Sequence, residues 1–216
     1  MRFKKIRGHK RLWKAIDQWK NANLPLDLET LKVRERDYTK IYVHPYSSIS
    51  MLTSEFPQPK GETRKRIIIG LFEIYEQWEL QLKTLNEPYY LKIWLYEPRF
   101  SNSQVVCAIG NCLHFYDSTF HKPEISKSLN TNNFGSLEHN ISKFNWEYRY
   151  DEEHMNNAEL GNPEDYYSIE AYNQEKAWIQ QRLKKPHRVT KYTEPIGDAT
   201  EGYSFKKGVI WIGEKL

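Results

Sequence analysis

Cysteine is scarce in this chain: two residues, Cys107 and Cys112, among 216. Two thiols cannot frame a disulfide scaffold or a four-cysteine zinc site. The expectation is a reduced, cytoplasmic protein. Long apolar runs are missing too. The strongly apolar stretches are short, as in Val105 to Ile109, against the roughly 20 residues of a membrane-crossing helix. No membrane association is expected. The basic opening MRFKKIRGHKRLW is followed by no apolar segment, so a secretory leader is not expected either. Also absent are a Walker loop, a GxGxxG turn, an HExxH pair and a carboxylate pair of recognised spacing. Their absence lowers the expectation of an enzyme without removing it, and no cofactor is expected.

Aromatic residues are abundant: 7 Trp, 15 Tyr and 9 Phe make 14% of the chain. Disordered chains are poor in such residues, so a globular fold is expected. The net charge of +4 hides an uneven distribution. Residues 1–20 carry +7, residues 151–175 carry −8, and residues 182–191 carry +5. Blocks of this kind mark solvated faces more often than partner-binding ones.

Periodicity supplies the elements. Leu12, Trp13, Ile16 and Trp19 form an apolar stripe on a helix from about His9 to Ala22, and a short helical turn follows at Leu28–Val33. Tyr38 to Val43 reads as a strand, and residues 44–61 as a surface loop. Glu62 to Leu85 is the longest helical pattern, with Ile67, Leu71, Ile74, Tyr75, Trp78, Leu82 and Leu85 on one broad face. Asn86 and Pro88 stop it. Tyr89 to Tyr96 alternates between an aliphatic face (Leu91, Ile93, Leu95) and an aromatic-cationic face (Tyr90, Lys92, Trp94, Tyr96). Gln104 to Ile109 is its expected antiparallel partner. Residues 121–135 read as a loop, Ser136 to Lys143 as a short helix and Asn145 to Tyr150 as a strand.

An acidic loop over 151–161 then leads to Asn162-Pro163-Glu164-Asp165, a capped helix start. That helix is expected to run to about Leu183, its acidic start and basic end matching the macrodipole. A terminal hairpin is expected around Lys207-Gly208, from Tyr203–Phe205 to Val209–Ile212. The mixture predicts an α+β fold with a mostly antiparallel sheet and helices packed on one face. No linker divides the chain, so residues 1–216 are expected to form one domain with the basic first twenty at its periphery.

Few residue groups suggest chemistry. Cys107, Cys112, His114 and His121 are zinc-ligand types, but their spacing matches no compact zinc pattern, and no metal is expected. Cys112 and His114, two apart, would share a strand face, yet nothing nearby signals an activated thiolate. His44 with Ser47 and Ser48 lacks a nucleophile motif and reads as a turn. The run from Trp146 to His154 holds carboxylates and a histidine without calcium-loop spacing, and reads as solvated. Glu97 and Arg99 would either clasp a ligand or pin a turn.

Three functional readings follow. In the first, the chain is a non-catalytic module that binds a protein partner through the face of Tyr90, Lys92, Trp94 and Tyr96, which one helix layer would leave partly open. In the second, it binds RNA or DNA through Lys4, Lys5, Arg7, Lys10 and Arg11 together with that strand face. In the third, it is an enzyme with a site near His114, Asp117 and His121. Lys4–Gly8 and Ser103–Phe120 resemble stretches of a family of small uncharacterised bacterial proteins, a domain of unknown function. The resemblance implies a small, cytosolic bacterial protein of accessory, immunity- or antitoxin-like service.

Overall fold

The structure, a computed structural model, describes residues 2–33, 39–43, 59–113, 137–156, 160–184, 189–194 and 200–216. The loops expected at 44–61 and 121–135 lie almost wholly outside these residues, as do His44, Ser47 and Ser48. The fold is α+β. Its helices are α1 (Arg2–Asn23), α2 (Leu28–Val33), α3 (Gly61–Leu82), the single turn α4 (Glu138–Ile141) and α5 (Ile169–Leu183). Its strands are β1 (Thr39–Tyr42), β2 (Tyr89–Glu97), β3 (Gln104–Ile109), β4 (Phe144–Asn156), β5 (Val189–Glu194) and β6 (Thr200–Lys215). The strand order is β1-β3-β2-β6-β4, with β5 also on β6. The pairings of β3 with β1 and β2, and of β6 with β2 and β5, are all antiparallel.

The chain divides into two compact units, residues 1–149 with 209–216, and residues 150–208. No linker is legible because the division falls inside two continuous strands, β4 and β6.

The first unit is built on α3. Its stripe of Ile67, Ile68, Leu71, Phe72, Ile74, Tyr75, Trp78 and Leu82 is buried. On one flank it meets α1, whose Ile16 is buried. The Trp78 Nε1 donates to the Asn23 carbonyl at 3.0 Å, Lys20 pairs with Glu73 at 2.5 Å, and the Arg66 guanidinium lies 4.3 Å from the Trp13 ring. On the other flank α3 meets the sheet. Phe72 and Tyr75 pack on Phe144 with ring centroids 5.2 and 4.9 Å apart. Leu91, Ile93 and Leu95 are buried, as the alternation in β2 predicts.

The opposite sheet face departs from expectation. Tyr90 is 7% exposed and Trp94 4%, in a second buried cluster with Val106, Ala108, Cys112, Ile210 and Ile212. Tyr96 and Leu113 pack against it. The cause is position. β2 lies between β3 and β6, so Tyr90 and Trp94 are flanked by Val106 and Ala108 on one side and Ile210 and Ile212 on the other, with Cys112, Leu113 and the Arg149 guanidinium packed against them.

In the second unit, β4 continues through Asn156 where an acidic loop was expected from 151. The carboxylates there have partners: Ser204 Oγ donates to Glu152 at 2.8 Å, and Glu153 pairs with Arg182 at 2.7 Å and Lys207 at 3.0 Å. Strand pairing and these ion pairs hold the run in the sheet, where solvated carboxylates were expected. The Asn162–Asp165 capping box is present, but it closes only a 3-10 turn, Pro163–Asp165. The α-helix begins later, behind Ser168, whose Oγ accepts from the Ala171 N–H at 3.2 Å. The expected terminal hairpin is instead the single strand β6. Its residues 200–205 pair with β5 and its residues 209–213 with β2, so Gly208 turns nothing.

Candidate binding sites

The strand face expected to bind a partner is not an open surface. Tyr90 and Trp94 are core residues, and the Trp94 Nε1 lies 3.3 Å from the Tyr90 hydroxyl. The Arg149 guanidinium stacks 4.9 Å from the Trp94 ring. Tyr96 is half-buried, its hydroxyl 3.4 Å from the Gln104 side-chain amide. Only Lys92 of the four directs a charge outward, to Glu214 at 3.0 Å.

The basic residues of the first helix divide. Lys10 and Arg11 are exposed, as is Lys14. The side chains of Lys4, Lys5 and Arg7 lie outside what the structure describes, as do His114, Asp117 and His121. Cys107 pairs in register with Leu91 and shares its helix-facing side, whereas Cys112 belongs to the cluster on the other face. Burial pushes the Cys107 thiol up to about 12, the opposite of an activated nucleophile. Among the described residues no group of three or more His, Cys, Asp or Glu could hold a metal ion. The Glu97 carboxylate accepts from Trp211 Nε1 at 2.9 Å, which ties the end of β2 to β6. Burial pushes the Arg64 guanidinium down, and the Glu97 charge partly opposes this.

Among the described residues, two places bring polar groups together at accessible space. The first is a cavity of about 260 Å³ in the first unit. Its charged lining is Glu79, Lys92, Glu214 and Lys215, and its aromatic and aliphatic wall is Tyr75, Tyr89, Tyr90, Leu91 and Leu113. The last two residues of β6 reach it because β6 pairs with β2. Lys215 bonds to Glu79, whose other oxygen holds Lys83 at 2.8 Å. Burial pushes the Glu79 carboxyl up, but the hydrogen bonds and charges of Lys215 and Lys83 outweigh it and hold it below the ordinary glutamate value. The Tyr75 hydroxyl donates to the Leu91 carbonyl and accepts from the Lys215 N–H, both at 3.2 Å. Burial raises its pKa to about 12, so it stays a donor.

Sequence reasoning found Lys92 and Tyr90 of this group and missed the rest. A signal exists for Glu79: it sits one turn after Tyr75, a charged residue beside an otherwise apolar stripe. Glu214 and Lys215 carry none, because their place depends on a strand pairing across more than a hundred residues.

The second place is the approach to α5 in the second unit. Tyr167 is 94% exposed and Ile169 53%. Glu164, Asp165 and Glu170 are exposed around them. Asp165 accepts from the Asn162 N–H at 2.8 Å, and among the described residues Glu164 and Glu170 have no ion-pair partner. Here the acidic residues belong to the −8 block, while Tyr167 and Ile169 fall within the helix expected from Asn162 to about Leu183, with nothing in the sequence that marks them as exposed.

Among the described residues no helix is long and apolar enough to cross a membrane. Comparison with protein-family models, curated proteins and solved structures finds no match to this chain.

Proposed function

We propose that this chain is a non-catalytic protein-binding module of the accessory, immunity- or antitoxin-like kind, and that it holds a basic partner through the acidic face at the start of α5. The observation that carries this reading is the exposure of Tyr167 and Ile169 among Glu164, Asp165 and Glu170. Interfaces concentrate their energy in a few aromatic anchors, and flanking charges set the choice of partner and the rate of encounter. A nearly fully exposed tyrosine beside an exposed isoleucine, ringed by carboxylates, has that composition.

Affinity capture with the chain from its native host tests the reading. A protein of basic isoelectric point is expected on the wild-type chain. Its affinity is expected to fall by about 2 kcal/mol or more with Tyr167→Ala, and its association to slow with Glu164→Lys and Glu170→Lys. A captured set that these three substitutions leave unchanged rejects the reading.

A second reading is favoured by a separate observation. Lys10, Arg11 and Lys14 are exposed on α1, within a block of +7. Such a helix side suits the phosphates of RNA or DNA. Binding of that kind weakens steeply with salt and is lost when Lys4, Lys5, Arg7 and Lys10 are changed to alanine. Absence of binding at low salt removes it.

A further inference from the structure

We infer that the cavity lined by Glu79, Lys92, Glu214 and Lys215 is a site for a small zwitterion, an α-amino acid with an apolar side chain. Its volume of about 260 Å³ lies just under the ~300–1,000 Å³ of pockets for drug-sized ligands, which sets the ligand class as small. Its charges come as two opposite pairs, Lys92 with Glu214 at 3.0 Å and Lys215 with Glu79.

That arrangement selects by charge balance. A ligand with one charge draws off one partner of a pair and leaves the other without its counter-charge, which costs most at Glu79, whose side chain is 13% exposed. A zwitterion adds one charge of each sign, and every group keeps an opposite neighbour. The two pairs also differ in what they have free. Glu79 is saturated, with Lys83 on one oxygen and Lys215 on the other. Glu214 is largely exposed and bonds Lys92 through only one oxygen, so its other oxygen is open to a ligand ammonium. Each lysine has three donors, and the side-chain bonds described here use one on Lys92 and one on Lys215. Both line the cavity, so either can donate to a ligand carboxylate. The ligand's side chain then lies on the wall of Tyr89, Tyr90 and Leu113. Tyr90 is itself held in the buried cluster, and Lys92 Nζ sits 5.4 Å from its ring, so this wall is fixed before binding.

Calorimetric titration of the whole chain tests the inference, with L-leucine and L-phenylalanine as probes. N-acetyl-leucine and leucine methyl ester each remove one charge. Saturable binding of at least one free amino acid is expected, weakened about tenfold or more in both blocked forms, since each loses a charge-assisted hydrogen bond. Glu214→Gln and Lys92→Met are expected to weaken it similarly. Both side chains are partly exposed, and an unchanged melting temperature separates lost binding from lost fold. No heat from either amino acid at about 10 mM, far above the free concentration that occupies ordinary metabolite sites, overturns the inference. So does equal binding of the blocked forms, which reports a site that reads one charge or none.

Discussion

At the scale of single residues, Gly213 shows how tightly the first unit is built. A Cβ there would lie 2.7 Å from the Trp146 ring and 2.9 Å from the Ile93 side chain. The backbone of β6 can pass under Trp146 only without a side chain. Gly213→Ala is therefore expected to lower stability by about 1–3 kcal/mol, the usual cost of overpacking, read from urea denaturation. The sequence shows this glycine inside a strand-like run but not its reason, because Trp146 and Ile93 reach it from β4 and β2. Other residues were legible. Leu91, Ile93 and Leu95 are buried as their alternation implies. Tyr90 and Trp94 were not, since alternation identifies two faces without saying whether one or both are covered.

At the scale of elements, the join between α1 and α3 rests on Trp78. Its ring is buried and its N–H reaches the last residue of α1. Trp78→Ala is expected to cost about 3–5 kcal/mol from lost packing. Trp78→Phe keeps most of the packing and isolates the hydrogen bond, at about 0.5–1.5 kcal/mol. Thermal unfolding of the two variants separates these contributions. Helix and strand identities were legible because each rests on local periodicity: α2 and β3 match their expected bounds. The failures fall where a nonlocal partner decides. Residues 151–156 are strand because β6 lies beside them and Arg182 and Lys207 neutralise Glu153. Likewise Gly208 looks like a turn only until β5 and β2 are seen to pair with the residues on either side of it.

At the scale of the whole molecule, the +4 average resolves into partnered and unpartnered charge. Glu79 in the first unit and Glu153 in the second are both held below the ordinary glutamate value. In each, the cations outweigh the opposing effect of burial: Lys215 and Lys83 at Glu79, Arg182 and Lys207 at Glu153. Depressed folded values mean that the unfolded chain takes up these protons first as pH falls. Their stabilisation is complete above the ordinary glutamate range and lost as pH drops through the depressed values. Glu79→Gln and Glu153→Gln are thus expected to be less stable than wild type at neutral pH and to lose less on acidification. Denaturation curves at about pH 7 and pH 3 check the difference in slope, and parallel losses contradict the assignment.

Strand β6 has one more consequence, for the order of assembly. It seals β2 by hydrogen bonds that include Trp211 to Glu97, 114 residues apart, and its Lys215 N–H meets the Tyr75 hydroxyl across 140. On the ribosome, β2 and α3 emerge long before the strand that closes them. Until then β2 presents an unpaired edge and Tyr75 lacks its Lys215 partner. Contacts so distant in sequence form slowly, and an open interior strand invites mispairing. The nascent chain is thus one that needs shielding until β6 arrives.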